Sequence, residues 1–448
     1  MFVAERVQRL KSAAQKLPVP EGTWAIGAGL LIAGFTAYGY QILAAKQLSD
    51  EDYAALNVLW AMVFVITPGL FQPLEQEVSR ALAHRRAQGV GGAPLVRQAA
   101  ILGGTLAAVV IIGSSIFYKP IVEHMFNGDG VLLLALFVAI LCYYVAHMVR
   151  GTLSGNGRFG PYGLMHGTDG LTRMLFVVIL AVAGSAIVGW YGLALALPPI
   201  FAVAVALRGQ RGLLLPGPPA PYSELSGALA WLLVGSVLAQ LLSYATVLGV
   251  QLLATESQED IVAKFITGLF VARIPLLLFQ AVQAALLPKL AGLASEGKHD
   301  DFRIGMKRLM VIVLGLCVAG VIGATVLGPT LGEKLFPSKW NLGYRDMFLL
   351  TLGATLFIVA LTLAQGLIAL KAYKQAAISW IFGIIAFVIP VALVTGEENL
   401  FLRNELGFVA GGGVAAIFMA MFLFLRMRKG GGSLEDLVEV VEHETLEI

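Results

Sequence analysis

The amino-acid sequence predicts an all-α polytopic membrane protein with about twelve transmembrane helices in two parallel six-helix bundles. Three observations predict it. Charge is scarce: of 448 residues, 58% are hydrophobic and 13% charged, and the mean hydropathy is +0.81, whereas soluble domains carry about 25% charged residues. The charges cluster, and the uncharged stretches between them run to about 20 residues, enough for a helix to cross ~30 Å of hydrocarbon. Finally, the second half of the chain repeats the first. Helices are expected because each satisfies its own backbone hydrogen bonds in lipid, and a β-barrel would show short alternating segments instead.

Residues 1–20 open the chain. Phe2, Val3, Val7, Leu10, Ala14 and Leu17 share one helical side and Arg6, Arg9, Lys11 and Lys16 lie on others. That reads as an amphipathic helix on the membrane surface or a disordered basic tail, ended by Pro18 and Pro20. It does not look like a cleavable signal peptide. The expected spans are 24–46, 53–76, 98–118, 131–150, 161–184 and 189–207 in a first bundle (21–207). A second bundle (225–428) holds 225–253, 261–288, 307–328, 346–370, 374–394 and 405–426. Only a Gly-Ser break separates spans 5 and 6, so they are read as one or two crossings. The linker 208–224 is too rich in Gly and Pro to continue a helix. Cys142 and Cys317 lie in apolar stretches and read as packing residues. The acidic tail 429–448 reads as a solubilising segment or a short helix that docks a partner.

Orientation follows from Lys and Arg. One set of connecting segments holds 22 basic residues and the alternate set seven, which places both termini in the cytoplasm. The acidic clusters Asp50-Glu51-Asp52 and Glu256/Glu259/Asp260 then fall outside. The pI near 8.7 is explained by this topology and implies no nucleic acid.

Ser49–Gln72 aligns without gaps onto Ser257–Gln280, matching Glu51/Glu259, Asp52/Asp260, Phe71/Phe279 and Gln72/Gln280 among others. A weaker match sets Arg150-Gly151 against Gln365-Gly366. Six spans return the chain to its starting side, so the halves are parallel repeats about an axis normal to the membrane. Alternating-access transporters are built this way, with a site between the halves near the midplane.

Three segments carry a family resemblance. They are Pro68–Arg80 (PGLFQPLEQEVSR), the turn Arg150-Gly151…Gly155-Asn156-Gly157-Arg158-Phe159, and Arg273–Gln283 (RIPLLLFQAVQ). The chain resembles actinobacterial polysaccharide-biosynthesis transporters over about residues 24–428. These are Wzx-like flippases of the multidrug/oligosaccharidyl-lipid/polysaccharide (MOP) exporter superfamily. The resemblance implies a MATE/MOP-like fold, two six-helix bundles around a V-shaped cavity, in a bacterial cytoplasmic membrane. It further implies that a polyprenyl-diphosphate-linked sugar moves from the inner to the outer leaflet, with envelope-biosynthesis enzymes as candidate partners.

Charges inside a span line a cavity or pair. Arg273 and Arg173 each lie about twelve residues, ~18 Å, into spans 8 and 5, one per half. A guanidinium grips phosphate bidentately and does not deprotonate, so the two suit a diphosphate. Asp169, four residues before Arg173, offers an intrahelical ion pair instead; Arg273 has no carboxylate at that spacing. His166 shares a face with Asp169 and Arg173, which reads as a proton or ion relay or as a polar strip lining a wet cavity. Gln72 and Gln280 would bind sugar hydroxyls or tie helices together. Glu75, Glu77 and Arg80 form a cytoplasmic gate or an interfacial anchor. Arg150 and Arg158 would meet the substrate's phosphate at the inner leaflet, or merely obey positive-inside placement.

Gly292–Lys298 has the spacing of a phosphate-binding loop, but His299 stands where Ser or Thr would hold Mg²⁺, and no strand precedes it. ATP hydrolysis, a cofactor and a metal are therefore not expected. Energy would come from an H⁺ or Na⁺ gradient, the membrane potential or consumption of the product. A cation or drug antiporter of the same superfamily is the alternative; it should carry more cavity acids than Asp169, the one clear mid-span acid. A membrane glycosyltransferase or polymerase would need a large outer loop bearing catalytic acids.

Overall fold

The computed structural model describes residues 23–225, 227–255, 258–276, 279, 293–294, 297–337, 339–340 and 342–428. Among them lie fourteen α-helices and no strand. In the first half these are α1 (Thr23–Gln47), α2 (Asp50–Ala87), α3 (Ala93–Ile116), the short α4 (Tyr118–Met125), α5 (Gly130–Gly155), α6 (Phe159–Val182), α7 (Val188–Ala196) and α8 (Pro198–Leu207). The second half has α9 (Leu229–Leu253), α10 (Glu259–Ala272), α11 (His299–Leu335), α12 (Tyr344–Ala369), α13 (Tyr373–Leu393) and α14 (Leu400–Arg428). The amphipathic N-terminal segment, Gln280 and the acidic tail lie outside the described residues, as does much of the phosphate-loop look-alike.

Eleven described segments are long and apolar enough to cross a membrane, α7 and α8 counting together. Spans 5 and 6 are two separate segments, each long and apolar enough to cross: α6 and α7–α8 form a hairpin whose turn places Gly184 at φ 64°. The eighth expected span differs. It is not one continuous helix, because α10 stops at Arg273 (φ −92°, ψ 2°). Pro275 explains the break: its ring collides with the carbonyl four residues earlier and it donates no hydrogen bond. Arg273 thus occupies a helix end rather than a helix middle. Its carbonyl still accepts from the Leu276 amide at 2.9 Å.

Local chemistry sets the helix ends. Ser49 Oγ accepts from the Asp52 amide at 3.1 Å, and Asp50, Glu51 and Asp52 fill the first turn of α2, where the helix dipole favours anions. Asp129 caps α5 by accepting from the Val131 amide at 2.7 Å. Pro68 and Pro73 lie inside α2 and each removes one of its hydrogen bonds.

Packing repeats between the halves. In each, the first membrane helix packs on the fifth, the second on the fourth, the third on the fourth, and the sixth on both the fourth and fifth. The internal sequence repeat is therefore visible as two bundles of one design. Lipid gives no hydrophobic drive between helices, so close backbone approach is needed. Gly151 on α5 supplies it against α2, where a Cβ would come within 2.8 Å of the Glu75 carbonyl oxygen.

The bundles meet where α2 packs on α9 and α10. Ser236 Oγ donates to the Pro68 carbonyl at 3.2 Å, and Tyr38 OH donates to the Phe270 carbonyl at 3.3 Å. The linker is strapped to the first bundle by Arg85, which is 4% exposed. Arg85 grips both carboxylate oxygens of Glu224 (2.7 and 2.8 Å) and donates to the carbonyls of Gly91 and Pro218. These bonds hold the Glu224 carboxyl below its usual range.

Candidate functional site

Four turns of α2 present Asn57, Trp60, Phe64 and Pro68 toward the second bundle. Asn57, Trp60, Tyr244, Phe270 and Arg273 line a narrow cleft there. The Arg273 guanidinium lies over the Tyr244 ring at 4.8 Å. Arg273 is 9% exposed, and its buried Nη2 has no hydrogen-bond partner among the described residues. A buried guanidinium nitrogen without a partner is costly, and among the described residues no carboxylate answers this one at the bundle interface. The helix end beside Pro275 aims it inward.

Arg173 approaches the same wall from the first bundle. Its Nη2 donates to Asp169 Oδ2 at 2.6 Å and to Tyr143 OH at 3.0 Å. Of the two sequence readings, the intrahelical ion pair is thus present. The guanidinium also stands 5.6 Å from the Trp60 ring centre. Its Nε and Asp169 Oδ1 are buried without partners, so the pair keeps unused hydrogen-bonding capacity. Trp60 therefore has Arg173 on its ring and Arg273 in its cleft. Phe64 sits between Tyr143 (5.9 Å) and Tyr244 (6.4 Å, stacked), continuing an aromatic wall across the interface.

The polar residues farther along α2 separate into two groups. Glu77 holds Arg80 at 2.8 Å, the pairing their spacing allows. Glu75 instead faces inward: its Oε2 meets His147 Nδ1 at 2.7 Å and Arg150 Nε at 3.0 Å, and its Oε1 accepts from Tyr162 OH at 2.8 Å. Glu75 and Arg150, expected as separate gate and phosphate-meeting groups, are partners within the first bundle. Arg158 is exposed at the start of α6, and Gln72 is exposed on α2. His166 packs edge-on against Tyr162 at 5.2 Å, while Asp169 is engaged by Arg173. Among the described residues the histidine bonded to a carboxylate is His147.

Sequence reasoning missed three residues. His147 lies three before Arg150 and four after Tyr143, a spacing that was readable. Lys339, counted as a loop charge, is 3% exposed, is ion-paired to Asp50 at the start of α2, and lies over the Tyr53 ring at 5.6 Å. Glu405 corrects the expectation that Asp169 is the one clear acid within a span. α14 begins at Leu400, so Glu405 lies inside the helix, fully buried, with neither carboxylate oxygen hydrogen-bonded.

Solved structures share the architecture. A MOP superfamily transporter from Pyrococcus furiosus, described as having a binding pocket of reverse polarity that suggests a different function, superposes with a TM-score of 0.71. It is 14% identical, over 92% of this chain and 96% of that one. A multidrug resistance MATE family transporter in an inward-facing conformation gives 0.69 at 17% identity, over 89% and 95%. An outward-facing MATE transporter gives 0.65 at 16%, over 92% and 96%. No protein-family model and no curated protein sequence matches the chain. The fold is that of MATE transporters of the MOP superfamily.

Proposed function

We propose that the protein is an alternating-access transporter of an anionic, lipid-linked substrate, a flippase for a polyprenyl-diphosphate-linked sugar. The observation that carries this reading is Arg273: a buried guanidinium with a free nitrogen, on the seam between two bundles of a transporter fold. A pyrophosphate would occupy that nitrogen and, as the bundles part, reach the unused Nε of Arg173 across Trp60. The aromatic wall of Trp60, Phe64 and Tyr244 offers apolar ring faces to a sugar, and Asn57 offers an amide.

The cleft, about 10 Å³, is far smaller than ordinary ligand sites of ~300–1,000 Å³, so substrate binding requires the bundles to separate. Among the contacts that oppose separation, Lys339–Asp50 near one end of α2 and Ser236–Pro68 farther along it are natural gates. The Lys and Arg bias orients the Asp50 end outward and the Arg85 end toward the cytoplasm.

A cation or drug antiporter is the second reading, favoured by the carboxylates Asp169 and Glu405 within helices and by the multidrug transporters that share the fold. It is the weaker one, because the charge facing the cleft is positive. The reverse-polarity pocket described for the P. furiosus protein is a precedent for such a departure within this fold.

Reconstituted protein with a fluorescent polyprenyl-diphosphate sugar tests the proposal. Transfer of label between leaflets is expected, with an ion gradient or membrane potential imposed. Unchanged leaflet distribution under every gradient, alongside export of organic cations, would replace it with the antiporter reading.

A further inference from the structure

The linker leaves the first bundle at an end that carries a large excess of positive charge. Residues 78–100, 150–160 and 205–223 contain eight arginines and no aspartate or glutamate. Three of these arginines are answered by carboxylates from outside the three segments: Arg80 by Glu77, Arg85 by Glu224 and Arg150 by Glu75. The other five, Arg86, Arg97, Arg158, Arg208 and Arg211, are exposed.

Hydrogen bonds draw the three segments together. Arg86 donates to the Asn156 carbonyl at 2.7 Å, and Asn156 Nδ2 donates to the Leu213 carbonyl at 3.1 Å. The Ala93 amide donates to the Leu215 carbonyl at 3.0 Å. Gly91 lies so near the Pro216 carbonyl that a Cβ would collide with it. The first part of the linker is therefore fixed where α8 ends at Leu207, α3 starts at Ala93 and α6 starts at Phe159.

Its side chains divide. Leu213 packs on the apolar cluster that holds Leu153, Met165 and Ala206. Leu214 and Leu215 do not follow it: they are 54% and 58% exposed. Arg208 and Arg211 precede them, also exposed. Leucines beside arginines, held at the level of three span ends, have the composition of a segment seated in the headgroup layer. There the apolar side chains reach the acyl boundary and the guanidiniums stay among the phosphates. Each arginine is drawn to an anionic surface, and its planar fork matches a phosphate. An acidic protein would answer the arginines but would leave the leucines unexplained.

We propose that residues 208–215, with Arg97 and Arg158 brought beside them by the Ala93 and Asn156 bonds, bind the headgroup of an anionic phospholipid and seat Leu214 and Leu215 in the leaflet. The site is independent of what the protein transports.

A nitroxide attached in Leu214→Cys tests it, in the full-length protein carrying Cys142→Ala and Cys317→Ala. Its relative accessibility to oxygen and to a water-soluble nickel chelate reports its depth. Leu214, Arg208 and Arg211 are exposed, so changing them leaves the packing intact. In phosphatidylcholine liposomes that contain phosphatidylglycerol the label should favour oxygen, and more strongly than in phosphatidylcholine alone. Arg208→Gln with Arg211→Gln should abolish that difference, and Arg208→Lys with Arg211→Lys should restore part of it. A label that favours the nickel chelate in both lipids would put the segment in water and overturn the proposal. Equal depth in the two lipids, or a lipid dependence that survives the double glutamine variant, would also overturn it. Inorganic phosphate added to phosphatidylcholine liposomes should change nothing; a response equal to that of phosphatidylglycerol would assign the arginines to a soluble anion and remove the lipid site.

Discussion

Lys339 and Asp50, 289 positions apart in the sequence, form an ion pair that fastens the second bundle to the first beside the start of α2. The lysine side chain is 4% exposed and the aspartate 33%. Removing one member of a buried pair strands the other, at a cost of about 3 kcal/mol. Asp50→Ala should therefore destabilise more than Lys339→Ala, because it strands the deeper charge. Thermal melts of the two single variants and the double variant check this. Equal, negligible shifts would show that the pair does not hold the bundles.

Arg173 and Asp169 should behave as one unit. Asp169→Ala leaves a buried guanidinium with Tyr143 as its remaining bonded partner, and about 3 kcal/mol of stability should be lost. Replacing both with apolar residues, Arg173→Met with Asp169→Leu, should recover most of that loss. A double-mutant cycle in chemical denaturant measures the coupling. Strict additivity would contradict it.

The strap between Arg85 and Glu224 should respond to pH. Glu224 has a lowered pKa in the folded protein, so its contribution is fully present above the ordinary carboxylate range. It is lost as pH falls through the lowered value. Protease cleavage within the linker should thus rise only at acidic pH in wild type. In Glu224→Gln it should be raised already at neutral pH. Identical cleavage profiles in the two would argue that the linker is held by its backbone contacts alone.

Among the described residues Glu405 has no hydrogen-bonding partner to lose. Glu405→Gln should keep the fold, with a melting temperature at or above that of wild type, because a buried carboxyl without partners contributes desolvation cost and little else. A fall of several degrees would point to a ligand or an interaction that the carboxylate makes in another conformation.

The reach of the sequence differs between fold and site. Spans were readable because hydropathy is local: each 20-residue run declares itself, and the Pro and Gly of 208–224 declare the linker. Spacing within a helix was equally readable, so Glu77–Arg80 and Asp169–Arg173 pair as their separations allow. Partners on different helices were not. Nothing near Glu75 announces His147, 72 residues later, and nothing near Lys339 announces Asp50. Arg273 was found as a charge in an apolar run, but its seat at a helix end depends on how Pro275 breaks α10. Glu405 was missed because hydropathy began the last span at 405 itself, whereas the helix begins at Leu400.

The central claim is that an arginine between the bundles, whose buried Nη2 has no partner among the described residues, holds the anionic part of the substrate. Initial rates of lipid-linked sugar turnover in proteoliposomes, for wild type, Arg273→Lys and Arg273→Ala at matched thermal stability, test it most directly. Loss of a charge-assisted bidentate contact worth about 2 kcal/mol should slow Arg273→Ala by roughly tenfold or more, with Arg273→Lys recovering only part of the rate. Wild-type rates in a folded Arg273→Ala would contradict the account.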